Sequence, residues 1–130
     1  AVEIIFRQDR DDPDKIAEFN QVGTAHVSAF GQFLRRLNEK KDAEGRPLLD
    51  TTAVFYGSGM GNANTHNNSH LPALLAGGGY KHGAHHAIDR NNETSATPLL
   101  GDLFLTIMES MGVEQERFVK ATRNMNDFLL

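Results

Sequence analysis

Histidine, asparagine and serine concentrate between Gly57 and Asp89, and these side chains could do chemistry together. Five of the six histidines fall between His66 and His86. Neutral imidazole is a common transition-metal ligand near neutral pH. His66 and His70 are four residues apart, and His82, His85 and His86 form a second group. Asp50 and Asp89 could add carboxylate oxygens. Asn62, Asn64, Asn67 and Asn68 crowd the same stretch. Amides there can line a pocket for a charged oxygen, or simply serve Asx turns and left-handed backbone. The His66–His70 spacing lies in an expected loop, so it does not put both rings on one face as it would in a helix. Loop histidines bonded to backbone carbonyls are the plainer reading. His26 lies beside an apolar helical stripe and is expected to be a partly buried, hydrogen-bonded histidine.

Gly57-Ser58-Gly59-Met60-Gly61 suggests a phosphate loop, but each established motif fails on a residue. A dinucleotide fingerprint needs glycine where Asn62 stands. A nucleophile elbow needs glycine at the positions of Tyr56 and Met60. A tight turn with close backbone approach accounts for the glycines as well.

The surrounding elements must position these residues. Asp12-Pro13 reads as a helix start, with aspartate as N-cap and proline at the first helical position. Ile16, Phe19, Gly23, Val27, Phe30, Leu34 and Leu37 follow at spacings of three and four. They make one apolar stripe over about seven turns. Lys40 and Lys41 fall where the negative end of the helix dipole favours cations. Gly45 and Pro47 close the following turn. Thr51–Tyr56 is β-rich without polar alternation, which predicts a strand buried on both faces, as in parallel sheets. Leu71–Ala76 predicts a second strand. The fourteen residues Gly57–His70 between them are too many for a tight hairpin. A long polar loop at the carboxyl end of a strand is where α/β proteins bind ligands. Thr97-Pro98 predicts a second helix ending at Gly112, and Gln115–Val119 a single helical turn. Val2–Phe6 weakly suggests an edge strand. The order predicts an α/β layer arrangement over 1–130, forming one unit and a fragment of a larger domain.

The totals narrow the function classes. The chain has 130 residues, no cysteine and a net charge of −4. Thiolate metal sites and disulfides are excluded. An acidic balance argues against nucleic-acid binding. No apolar run reaches membrane-spanning length.

Several segments together resemble one bacterial family. They are Leu48 to Met60 (Leu-Leu-Asp-Thr-Thr-Ala-Val-Phe-Tyr-Gly-Ser-Gly-Met), Asn64-Thr65-His66, and Leu71 to Gly79 (Leu-Pro-Ala-Leu-Leu-Ala-Gly-Gly-Gly). The Asp11–Ile16 helix start, the Leu103–Met108 helix and Met111-Gly112-Val113 extend the likeness over nearly the whole chain. The sequence is similar to the C-terminal part of the uncharacterised exported family catalogued as domain of unknown function 1552. That family in turn resembles the alkaline phosphatase and sulfatase superfamily.

The resemblance implies the C-terminal portion of an alkaline-phosphatase-like sheet with flanking helices. It implies a metal-dependent hydrolase of phosphate or sulfate esters, with a divalent metal (zinc, calcium or manganese) and an exported, periplasmic or cell-surface location. His66 and His70 are then the candidate metal ligands, and Asn64, Asn67 and Ser58 the candidate substrate contacts. Where active superfamily members carry Asp-His-Gly, this chain has Ser58-Gly59-Met60, which removes two ligands. The alternative is a non-catalytic exported protein that keeps the fold as a binding or structural module. A further alternative is a lone-metal module using His82, His85 and His86. Either way, a strand buried on both faces would pack on the remainder of a parent chain or on another protein chain.

Overall fold

The computed structural model describes residues 12–61, 65–68, 71–86 and 97–129. It is a mixed arrangement of helices and a two-stranded antiparallel sheet. The chain divides into two compact units, Ala1–Gly78 and Gly79–Leu130. The expected strand Val2–Phe6 lies outside the described residues.

In the first unit, helix α1 (Pro13–Glu39) starts as the sequence predicts. The Asp12 carboxylate accepts the N–H groups of Asp14 at 3.0 Å and Lys15 at 3.4 Å. Proline loses nothing at the next position, because that N–H has no helical partner. The helix stops at Lys40, whose backbone turns extended while its N–H still reaches the Arg36 carbonyl. Asp42 then organises the turn, accepting from the Glu44 and Arg46 N–H groups and from the Arg46 guanidinium. Gly45 takes φ +81, a conformation that a β-carbon disfavours.

The turn leads to a single helical turn, α2 (Leu48–Thr51), and then to strand β1 (Val54–Gly57). Strand β2 (Ala73–Ala76) pairs antiparallel with β1, with Val54 opposite Ala76 and Gly57 opposite Ala73. The Ser58 N–H to Pro72 carbonyl bond extends the ladder. The expected parallel, doubly buried strand is therefore corrected. β1 alternates, with Val54 and Tyr56 half-buried and Phe55 and Gly57 exposed. Short apolar runs look alike in both settings, and only the pairing partner separates them. Phe30 of α1 stacks on Tyr56 with ring centroids 5.0 Å apart, fixing helix to strand. Gly77 holds the exit of β2 at φ +70, tight against the Thr52 and Leu49 carbonyls.

In the second unit, helix α3 (Leu100–Ser110) begins two residues after Pro98 rather than at Thr97-Pro98. Leu99 is the N-cap residue, and its N–H donates to the Asp102 carboxylate at 2.7 Å. That carboxylate, at the third position of the helix, reaches back to the N-cap N–H as in the second half of a capping box, while Leu99 itself offers no side-chain acceptor. The helix ends at Gly112 as predicted. Gly112 N–H bonds to the Glu109 carbonyl and Val113 N–H to Met108, the two bonds of a Schellman cap. The expected helical turn over Gln115–Val119 is replaced by a tight turn in which Phe118 and Ala121 exchange both backbone hydrogen bonds. Val119 has φ +55 there, which α-helical continuation excludes. Ala121 packs on Gly101, where a β-carbon would come within 2.7 Å of the alanine methyl. Phe118 meets Phe104 edge to face at 5.6 Å. A short helix α4 (Asn126–Leu129) closes the unit, and the Lys81 N–H donates to the Leu129 carbonyl. Leu103, Leu105, Thr106, Tyr80 and Leu129 are buried here.

Candidate functional site

The loop leaving the carboxyl end of β1 carries three of the sequence-predicted site residues in described positions. Ser58 comes first. Its hydroxyl donates to the Met60 carbonyl at 2.7 Å and accepts the Met60 N–H at 3.2 Å. A serine hydroxyl has one proton to give, and this one is spent on a local turn. Beyond it, the Gly61 N–H donates to the Asn67 carbonyl at 2.8 Å, which brings the two ends of the loop together. His66 stands at the turn of that closure with φ +50 and an exposed side chain. Histidine is one of the residues found in left-handed backbone more often than most. Asn67 is exposed beside it. Asn64 and His70 lie outside the described residues, as does Asp89.

The remaining described histidines lie elsewhere in the chain. His82, His85 and His86 belong to the second unit, and all three are exposed. Asp50 is exposed on α2. Among the described residues, no group of three histidine, aspartate or glutamate side chains gathers closely enough to hold a metal ion. A divalent metal of the kind the resemblance implies therefore does not find its ligand set in these residues. His66 supplies one imidazole there and no more. His26 also departs from expectation, being exposed on α1 rather than partly buried.

Sequence reasoning did not anticipate a second feature, the open face of α1. None of its 27 residues is buried. The stripe predicted to face a core divides in two. Phe30, Leu34 and Leu37 are half-buried, with Phe30 against Tyr56. Ile16 is 40% exposed, Phe19 42% and Val27 50%. On the adjoining flank Phe33 is 49% exposed. Phe19, Gly23 and Val27, with Asn20, Thr24 and Ser28, line a shallow groove along the first half of the helix. The amphipathic stripe was legible in the sequence. Its remaining uncovered among the described residues was not, because periodicity reports which face wants burial and not whether anything buries it.

Among the described residues no helix is long and apolar enough to cross a membrane. No protein family, no curated protein and no solved structure matches the chain.

Proposed function

We propose that this chain is a binding or structural module, non-catalytic in itself, whose α1 face docks on a protein surface. That surface belongs to the remainder of a longer parent chain or to another chain. The observation that carries this reading is the row Ile16, Phe19 and Val27, each exposed by two-fifths or more on one side of a long helix. Contiguous apolar surface of this kind marks interaction sites. A further observation agrees with it. The Ser58 hydroxyl is engaged in its own turn. Within this proposal the helix–strand–loop–strand order is read as the C-terminal portion of an alkaline-phosphatase-like sheet, in a protein that is exported.

Oxidative footprinting tests the reading. Phe19 should be protected in the protein as it stands in an extract of its source and accessible in the purified, diluted chain. Equal accessibility in both would remove the docking face from consideration.

One observation favours a second reading, in which the chain completes a metal-dependent phosphate- or sulfate-ester hydrolase. His66 is presented, exposed, on a closed loop at the carboxyl end of β1. Long surface loops held by a scaffold often carry ligand contacts. Under that reading His66 and His70 hold zinc, calcium or manganese together with groups outside the described residues, and Asn64, Asn67 and Ser58 face the ester. Metal content by mass spectrometry separates the two. Near-stoichiometric metal that is lost on His66→Ala/His70→Ala supports the hydrolase reading. Equal metal content in both proteins leaves the module reading in place.

A further inference from the structure

We infer that α1 pairs with α1 of a second copy of this chain, antiparallel, through a seam of Phe19, Val22, His26, Ala29 and Phe33. The inference rests on the docking reading above, with which it shares Phe19, and places the contact on the flank of α1 that carries Phe33. Three observations carry it.

The first is spacing. The five seam positions are separated by three, four, three and four residues. That alternation averages 3.5, the period at which two helices keep one face in contact by knobs-into-holes packing. Phe19, His26, Ala29 and Phe33 are exposed and Val22 is half-buried, so the seam is open along its length. The neighbouring stripe cannot serve over the same length, because Phe30, Leu34 and Leu37 are already half-covered within the first unit. The seam lies to one side of them on the helix surface.

The second observation is charge. The start of the helix, residues 12–18, carries Asp12, Asp14 and Glu18 against Lys15. Its end, residues 35–41, carries Arg35, Arg36, Lys40 and Lys41 against Glu39. A parallel pair would set acid beside acid and base beside base. An antiparallel pair sets each acidic start beside a basic end, and opposes the two helix dipoles favourably.

The third observation is the residue at the centre. His26 is the middle residue of the seam, with an aromatic ring seven residues to either side. A lone polar residue in an otherwise apolar seam fixes register, since a shift by one heptad would set it against Phe19 or Phe33. A two-fold axis near His26 makes the contact isologous and closed, so the seam itself does not propagate into a fibre.

The test uses the full chain, which has no cysteine, so single engineered thiols report without background. Sedimentation equilibrium should show a dimer at tens of micromolar. Phe19→Asp/Phe33→Asp should raise its dissociation constant at least about tenfold, because exposed-seam aromatics act as anchors. Both positions are exposed, so far-UV circular dichroism should be unchanged. His26→Cys should form a disulfide-linked dimer under mild oxidation. Asp14→Cys should not, because antiparallel pairing centred on residue 26 holds the two helix starts about 36 Å apart. A dimer that survives the double substitution, or one that Asp14→Cys links and His26→Cys does not, overturns the proposal. A monomer at every concentration overturns it too. In that case the footprint of Phe19 in the source extract still judges the docking reading separately.

Discussion

Thr106 and Met125 are joined across the second unit: the Met125 N–H donates to the Thr106 hydroxyl at 2.7 Å. The same hydroxyl donates to the Asp102 carbonyl at 3.0 Å, one helical turn back. Thr106 is fully buried and Asp102 almost so. The Asp102 carboxylate caps α3 through the Leu99 N–H and also receives Arg123 Nε at 3.4 Å. Two polar side chains on one helix face thus hold the chain segment that follows Ala121. Buried polar groups are tolerable here because each has partners.

Thr106→Val should therefore destabilise the second unit by about 1–3 kcal/mol, since it keeps the volume but leaves the Met125 N–H without its acceptor. Thr106→Ser should recover most of the loss. Thermal denaturation gives the stability, and hydrogen exchange at the Met125 amide should speed up in the valine variant alone. An unchanged exchange rate in that variant would show that the hydroxyl is not the acceptor.

Phe30→Ala should cost the first unit about 1–3 kcal/mol, below the value for a fully buried phenylalanine because the ring is only half-covered. It removes the ring stacked on Tyr56. Tyrosine fluorescence should shift towards that of free tyrosine, and the urea midpoint should fall. No change in either would mean that the stack does not couple α1 to β1.

Gly77→Ala and Gly23→Ala should act in opposite directions. A β-carbon at Gly77 collides with the Thr52 and Leu49 carbonyls and lies 2.8 Å from Leu49 Cδ1, in a backbone with φ +70. The Leu49 carbonyl cannot retreat without losing the Gly78 N–H it accepts, so a loss of at least about 2 kcal/mol is expected. Gly23 lies mid-helix with nothing within 4 Å, so alanine there should stabilise by about 0.5–1 kcal/mol. Denaturation midpoints of the two variants check this directly.

Asp42 should titrate below the ordinary aspartate range. The Arg46 backbone N–H is the main cause; partial covering opposes it, and the Arg46 guanidinium and the Glu44 N–H lower it further. A lowered folded-state value makes a stabilising contribution that is present above the unfolded pKa of about 3.9 and lost as pH falls through the folded value. The 42–46 turn should thus persist down to acid pH and loosen only below the ordinary aspartate range. Carboxyl carbon shifts in an NMR titration measure the midpoint, and Arg46→Ala should move it upward. A midpoint at the free-aspartate value in the parent protein would refute the account.

Some of this architecture is local chemistry, and the sequence by itself determined it. Asp12-Pro13 starts α1, the apolar spacing carries it past Leu37, and Gly112 ends α3, because caps and periodicity act within a few residues. The start of α3 and the turn at Phe118–Ala121 depended on partners further along the chain. Leu99 is a poor cap by type, and only the Asp102 carboxylate makes it serve. The antiparallel pairing of β1 was beyond the sequence for the same reason, since Val54–Gly57 reads as either kind of strand until Ala73–Ala76 lies beside it. The candidate site divides likewise. The composition of the His66 loop could be read directly, but only the structure showed Ser58 bonded into its own turn and His66 exposed outside any three-ligand group among the described residues. The apolar face of α1 was equally visible in the residues. That Ile16, Phe19 and Val27 stay uncovered was decided by where the rest of the chain goes, which residue spacing does not encode.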